Sequence, residues 1–221
     1  MVNFQGSKNA FWQALIFTIA VFFVGLVFGY FLESYKADKS EMISLEAEIN
    51  LLDDQVRVEV LQKSNLSCEA ATESVFSFAD KIYEDALLLE RYGAAANFNA
   101  ENLKIIHRRY DLLRVLLWEE GMGLKSRCKD IHTVVYLFEY SSEDVETSAR
   151  QNYFSKILLD LKNNNPNEIL LIPIAANLDL ASVELIMKSR GINSPSILID
   201  EEKKVNDVIT YEDLEKLVFG E

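Results

Sequence analysis

The longest apolar segment of the chain is residues 11–31, a run without a charged side chain. At 1.5 Å rise per residue, a helix of this length spans about 31 Å, roughly the thickness of the hydrocarbon core of a bilayer. A cleaved signal peptide has a shorter apolar stretch, of roughly 7 to 15 residues, followed by small residues. Trp12 and Tyr30 stand near the two ends, where interfacial aromatic side chains are common. The pattern predicts an uncleaved single-pass transmembrane helix after a short tail, residues 1–10, although a core helix of a soluble protein is the alternative.

A helical repeat follows the span. Between residues 40 and 62 the apolar residues recur at spacings of three and four, with no Gly or Pro among them. The members of this stripe are Met42, Leu45, Ile49, Leu52 and Val56. It is the stripe of a coiled coil, but it covers only about two heptads, and packing against the chain's own helices explains it equally well. The sequence therefore predicts a helical, coiled-coil-like stalk over residues 32–65.

Two glycines of the span, Gly25 and Gly29, stand four residues apart. This GxxxG spacing allows two transmembrane helices to approach closely, and it also arises by chance in apolar helices. A homodimer held by the anchor is thus one prediction, with a second copy of the chain as a candidate partner besides the lipid bilayer.

Two more segments with helical periodicity follow the stalk, at residues 68–92 and 100–120. Their apolar faces carry Val75, Ala79, Ile82, Ala86 and Leu89 in the first, and Leu103, Ile106, Tyr110, Leu113 and Leu117 in the second. The intervening residues 93–99 have the composition of a turn, and Asn99 is the expected N-cap of the second helix. The pattern predicts an antiparallel helical hairpin over residues 66–128.

From about residue 129 the pattern changes to alternating strands and helices. The β-branched and aromatic runs typical of strands lie at 133–140, 168–175, 196–200 and 205–210. Helical segments lie around 153–161, 180–190 and 211–219. The short turn 201–204 predicts an antiparallel hairpin, whereas the helices between the other strands predict crossover connections. The predicted fold of residues 129–221 is an α/β domain with the order βαβαββα and a mixed sheet.

This order resembles the thioredoxin fold over residues 133–219. In that family a proline in cis precedes the third core strand and faces the redox site, and Ser194-Pro195 stands at the matching position. The resemblance implies that Pro195 is this cis-proline, while a trans proline at the start of a strand is the alternative.

The redox motif of the thioredoxin family is missing from this sequence. Redox-active relatives carry Cys-x-x-Cys between the first core strand and the following helix, where the helix N-terminus lowers the thiol pKa. The element order puts Val145 and Ser148 at the two cysteine positions. Serine does not exchange disulfides, and we expect His132 at the opposite end of the sheet, so that no base activates the hydroxyl. The absence of both motif cysteines predicts a redox-inactive domain.

The chain has two cysteines, Cys68 at the start of the first hairpin helix and Cys128 after the end of the second. In an antiparallel hairpin these points lie at the same end, which favours a disulfide. Two buried, reduced cysteines are the alternative. A further interpretation makes the pair redox-active, with an exposed Cys128 thiolate favoured by Lys125, Arg127 and Lys129.

Two signals for membrane orientation disagree. Lys8 precedes the span, whereas Lys36 and Lys39 follow it, and the positive-inside rule then places the C-terminal portion in the cytoplasm. A disulfide instead implies an oxidising compartment. We expect the C-terminal domain outside the cytoplasm, because the flanking lysines are too few to decide.

Charge and residue types exclude several classes of function. The net charge is −13 and no basic cluster stands out, so nucleic acid and anionic lipid headgroups are poor partners. His107, Arg108 and Arg109 are interpreted as a solvated helix face. No Gly-rich phosphate loop and no metal-ligand spacing occur, so neither a cofactor nor a metal is expected.

Three hypotheses of function remain. The first is a membrane-tethered, redox-inactive thioredoxin-like module that binds or positions another protein. The second is an unusual membrane-anchored thiol-disulfide oxidoreductase that uses Cys68 and Cys128. The third is a dimeric coiled-coil membrane scaffold, in which the anchor and the stripe pair with a second copy.

Overall fold

The computed structural model describes residues 5–64, 66–95 and 100–220, with side chains for residues 11–30, 48–64, 66–87 and 103–220. The elements in chain order are α1 (Gln5–Lys63), α2 (Cys68–Ala95), α3 (Ala100–Lys125), β1 (His132–Phe138), α4 (Val145–Asn164), β2 (Ile169–Ala175), α5 (Ala181–Arg190), β3 (Ser196–Ile199), β4 (Lys203–Val205) and α6 (Tyr211–Phe219). The chain divides into two compact units, Met1–Leu52 and Asp53–Glu221, which are described separately.

The first unit contains the predicted span. Its segment Phe11–Tyr30 is helical, and it is long and apolar enough to cross a membrane. The Thr18 hydroxyl donates to the carbonyl of Ala14 at 2.9 Å, so this polar side chain is satisfied within its own helix. A Cβ added at Gly25 or Gly29 would meet nothing within 4 Å. The apolar N-terminal helix is thus confirmed, while its insertion and its pairing stay predictions.

The stripe of the stalk is exposed where its side chains are described. Ile49, Leu52 and Val56 are 64%, 53% and 59% exposed. Val56, which belongs to the second unit, is thus not packed against the helices of that unit, and for Ile49 and Leu52 both explanations of the stripe stay predictions. Met42 and Leu45 lie outside the described side chains.

The second unit begins with the last turns of α1 and the hairpin of α2 and α3. Both hairpin helices run a few residues further than predicted, α2 to Ala95 and α3 to Lys125. Buried apolar residues line their contact, among them Ala71, Val75, Phe78, Ile82, Leu113 and Leu117. The predicted N-cap Asn99 lies outside the described residues.

The strands form a mixed four-stranded sheet in the order β2-β1-β3-β4. β1 pairs with β2 in parallel, and β3 is antiparallel to both β1 and β4. Alternate residues of β1 pack on opposite faces, as the period of two dictates. On one face lie Val134 and Tyr136, in a core with Phe154, Ile157, Leu158 and Leu161 of α4 and Leu214 and Val218 of α6. The hairpin helix α3 packs on the sheet from the other side.

The closest approach of α3 to the sheet is at Gly121. A Cβ at this position would lie 2.9 Å from Cδ2 of Leu170 and 3.1 Å from Oγ1 of Thr133, whereas a Cβ at Gly123 would meet nothing within 4 Å. Because both glycines lie within α3, Gly121→Val and Gly123→Val change helix propensity alike. We expect Gly121→Val to be less stable than Gly123→Val by about 1–3 kcal/mol, the usual cost of overpacking. Urea unfolding of the two full-length variants in detergent measures this difference, and equal stability would refute the close packing.

The last hairpin differs from the prediction. The turn begins earlier in the chain than the turn predicted at residues 201–204. Strand β4 is Lys203–Val205 instead of residues 205–210. The reason is that Asp200 and Glu201 adopt left-handed conformations, with φ of 48° and 66°, which reverse the chain immediately after β3. Such conformations are uncommon outside glycine, so the sequence carries no strong signal for this turn.

Candidate functional site

The candidate site lies at the carboxyl end of β1. Leu137 of β1 pairs with Ser196 of β3, so Pro195 stands beside Phe138, where β1 ends. Pro195 is buried, and its peptide bond with Ser194 is cis. Residues 139–144 connect the end of β1 to the first turn of α4.

Val145 and Ser148, the two positions predicted to replace the cysteines of the redox motif, lie in the first turn of α4. Asp144 is the N-cap, and its carboxylate accepts a hydrogen bond from the amide of Thr147 at 2.8 Å. Bonding to Thr147 lowers the pKa of Asp144. Val145 begins the helix and is 82% exposed. The Ser148 hydroxyl donates to the carbonyl of Ser142 at 3.2 Å, so it holds the loop and is not paired with a base.

The loop after β1 is held by hydrogen bonds to two other elements. Gln151 of α4 accepts from the Glu139 amide at 2.7 Å and donates to the Glu139 carbonyl at 3.2 Å. The amide of Tyr140 donates to Oδ1 of Asn177, in the loop after β2, at 2.7 Å. These bonds fix the backbone of the loop, which therefore presents Val145 from a rigid support.

A cluster on α3 covers the same edge of the sheet and was missed by the sequence prediction. The His107 ring packs on Tyr140 with 4.3 Å between centroids. Lys104 binds the Asp179 carboxylate at 2.9 Å, and Arg108 donates to the Asp179 carbonyl at 3.2 Å. His107 and Arg108 thus take part in packing the loops, which corrects their assignment to a purely solvated face.

The packing of His107 also sets its protonation. Burial lowers the pKa of His107, and the positive charge of Arg114 lowers it further. Both effects favour the neutral ring. A signal for this role was available, since Leu103, His107 and Tyr110 follow one another at spacings of four and three on a single helix face.

A surface groove runs beside the first turns of α4. Its volume is about 380 Å³, and it is lined by Glu146, Ala149, Arg150, Tyr153, Asp207 and Val208. The Tyr153 hydroxyl donates to the Ile209 carbonyl at 2.8 Å, which ties α4 to the chain that follows β4. Val208 is 64% exposed, so the groove continues the apolar exposure that begins at Val145.

Sulfur and an activated hydroxyl are both missing from this edge among the described residues. No cysteine stands at the surface of Pro195, and the hydroxyl of Ser148 is turned towards a carbonyl. His132 is the first residue of β1, at its other end, where its Nδ1 lies 2.7 Å from the Asp200 carboxylate. Within the described ranges, no group of three or more His, Cys, Asp or Glu side chains is placed to hold a metal ion.

Cys68 and Cys128 form a disulfide, with 5.5 Å between their Cα atoms. The bond joins the start of α2 to the segment between α3 and β1, and the Thr72 hydroxyl lies 3.7 Å from the Cys128 sulfur. Cys128 is only 2% exposed, whereas Cys68 is exposed. The expected exposure of Cys128 is therefore wrong, because its side chain is buried.

The disulfide and the surface of Pro195 lie at opposite ends of β1. Cys128 precedes the first residue of β1, whereas Pro195 stands beside its last residue. The seven residues of the strand span about 20 Å at roughly 3.3 Å per residue. Pro195 therefore lies about one strand length from His132, the first residue of β1.

Comparison with known proteins does not identify a family. No family model matches the chain, and no curated protein matches it. Among solved structures, the chain is similar to oxidised thioredoxin O2 from Arabidopsis thaliana, at 12% identity and a TM-score of 0.30. The match covers 45% of this chain and 82% of the thioredoxin.

Proposed function

We propose that the chain is a membrane-tethered, redox-inactive thioredoxin-like module that binds an extended segment of another protein. The domain of residues 129–221 supplies the binding surface, and the span 11–31 supplies the tether. The strand order β2-β1-β3-β4 with helices on both faces supports the thioredoxin-like assignment, as does Pro195 directly before β3. Val145 and Ser148, in place of sulfur, support the loss of redox chemistry.

The observation that carries the proposal is the exposure of Val145. In active thioredoxin-like proteins the surface around the cis-proline binds extended chain, and the resemblance places the start of α4 beside it. Val145, the first residue of α4, is 82% exposed. An apolar side chain held this far into solvent on the first turn of a helix is suited to contact a partner. Glu143, Asp144 and Glu146 surround it, so we expect the bound segment to carry Lys or Arg.

The test is photo-crosslinking of the full-length chain in detergent. The crosslinking residue p-benzoylphenylalanine replaces Val145, and the probe is a short synthetic peptide of alternating Lys and Val. The matched control carries the same residue at Leu185, which is 69% exposed on α5. We expect crosslinks from position 145 that unlabelled peptide competes away, and none above background from position 185. Equal labelling at both positions would refute a binding surface at Pro195.

The second candidate, a thiol oxidoreductase, is favoured by one observation. Because Cys68 is exposed, a thiolate from solvent can attack its sulfur, with Cys128 as the leaving group. An insulin-reduction assay separates the candidates. Turnover that Cys128→Ser abolishes would contradict the redox-inactive module, whereas we expect none.

A further inference from the structure

The exposed stripe of α1 has the residue pattern of a coiled-coil seam. Ile49, Leu52 and Val56 are all more than half exposed, and the sequence extends their spacing back to Leu45 and Met42. In heptad terms, Met42, Ile49 and Val56 occupy position a, and Leu45 and Leu52 occupy position d. A β-branched residue at a with Leu at d is the combination that favours two-stranded coiled coils.

The opposite side of α1 is already used within the chain. Asp54 is 7% exposed and Val58 is 4% exposed. Arg57 lies over the Phe78 ring of α2, 3.8 Å from its centroid, and binds Glu120 of α3 at 2.9 Å. Because residues two apart in a helix are about 200° apart, Val56 points away from the side that carries Val58. Val56 is therefore not used in the contact of α1 with the hairpin.

The charges that flank the stripe argue against a second copy as that partner. Of the five e and g positions between residues 41 and 56, four are acidic, Glu41, Glu46, Glu48 and Asp53, and the fifth is the neutral Gln55. In a parallel homodimer, position g of one helix faces position e of the next heptad on the other, which opposes Glu41 to Glu46 and Glu48 to Asp53. Like charges at these positions disfavour pairing, and the net charge of −13 adds to the repulsion.

We infer that the stripe of α1 docks one amphipathic helix of another protein, whose apolar seam is flanked by Lys or Arg. The apolar residues supply the buried contact, and the four carboxylates select a basic partner over a second copy of this chain. This partner site is independent of the proposed surface at Pro195, and it replaces the homodimer with a heteromeric pair.

Fluorescence anisotropy on the full-length chain in neutral detergent tests this inference. The probe is a synthetic heptad peptide with Ile at a, Leu at d and Lys at e and g, and a scrambled peptide of identical charge reports non-specific attraction. We expect the seam peptide to bind and the scrambled peptide not to bind. Leu52→Asn should weaken binding roughly 10- to 100-fold, because a buried Leu contributes about 1.5–3 kcal/mol.

Two controls make the result decisive. Leu185→Asn makes the same change at a comparably exposed residue of α5 and should leave the affinity unchanged. A peptide with Glu at e and g should bind at least tenfold more weakly than the Lys peptide. The inference is overturned if Leu52→Asn has no effect on binding, or if the chain is a dimer in detergent that Leu52→Asn dissociates.

Discussion

Removing the disulfide by the double substitution Cys68→Ser and Cys128→Ala should lower the free energy of unfolding by about 4 kcal/mol. The bond joins residues 60 apart in the sequence, and the chain-entropy model gives this value for a loop of that length. Serine suits the exposed position 68 and alanine the buried position 128, so neither substitution adds an unpaired buried polar group. Urea unfolding in non-ionic detergent, followed by near-ultraviolet circular dichroism, measures the change.

The matched control is Thr72→Val, which removes the hydroxyl beside the Cys128 sulfur and keeps the bond. Its expected cost is at most about 1 kcal/mol, the net contribution of one hydrogen bond. Equal stability of the double variant and the wild type would contradict a stabilising bond. Alkylation of intact cells with a membrane-impermeant reagent, before and after reduction, then reports the compartment, because Cys68 is exposed only on the side where the domain lies.

The sequence allows the α/β elements to be predicted because their ends carry local signals. α5 ends at Gly191 and α6 at Gly220, both in the left-handed conformation that closes a helix. Thr210 caps α6 through a bond from the Asp213 amide. The core of α4 follows from the helical spacing of Phe154, Ile157, Leu158 and Leu161. Such signals depend on neighbours in the chain, so no knowledge of the tertiary structure is needed to detect them.

The parts that sequence reasoning missed depend on contacts between distant residues. The turn at Asp200 and Glu201 is held by partners on other elements. Lys125 binds Asp200 at 3.0 Å, and Trp118 and Arg190 bind Glu201. No local pattern announces these contacts, and the predicted strand was consequently placed too late in the chain.

The side of α1 that packs on the hairpin was not identified from the sequence for a related reason. Hydrophobic spacing pointed to Ile49, Leu52 and Val56, whereas the buried side carries the charged residue Asp54 beside Val58. Asp54 and the ion pair of Arg57 with Glu120 make polar residues part of this core, and the periodicity of apolar residues does not detect them. The candidate site shows the same difference between local and long-range signals. The absence of cysteine at positions 145 and 148 can be read from the sequence, whereas the contact of His107 with Tyr140 cannot.

The ion pair between Arg57 and Glu120 is the most polar contact of the core that joins α1, α2 and α3. The Glu120 side chain is fully buried, and Arg57 is 28% exposed. Burial raises the pKa of Glu120 to about 7, the nearby Asp54 raises it too, and Arg57 opposes both. Within the described part of the chain, Oε2 of Glu120 has no hydrogen-bond partner, so Arg57 is the main compensation for its charge.

The sign of the resulting pH dependence follows from the raised pKa. The folded state holds the Glu120 proton more tightly than the unfolded chain, whose value is near 4.5. The stability that protonated Glu120 contributes is therefore fully present below pH 4.5 and is lost as the pH rises through about 7. Glu120→Gln removes the titrating carboxyl group and with it this loss of stability. The free energy of unfolding of the variant should therefore change less between pH 4.5 and pH 7 than that of the wild type.

Arg57→Leu should have the opposite effect. Without the guanidinium the carboxylate is buried with Asp54 nearby and no cation, so the pKa of Glu120 rises further and its ionisation becomes costlier. We expect a loss of about 3–5 kcal/mol at pH 9, the usual cost of removing one partner from a buried pair. At pH 4 the loss should be roughly 1–2 kcal/mol, from the missing hydrogen bond and the contact with Phe78.

Urea unfolding of the full-length chain in detergent at both pH values measures the two losses. The double variant Arg57→Leu, Glu120→Leu is the control, since it removes both charges and should recover most of the stability lost at pH 9. Lys63, which pairs with Glu59 where both side chains are mostly exposed, supplies the comparison for a surface pair. Lys63→Leu should cost at most about 1 kcal/mol with little dependence on pH. A loss in Arg57→Leu that is the same at pH 4 and pH 9 would show that the guanidinium contributes packing alone and does not compensate the Glu120 charge.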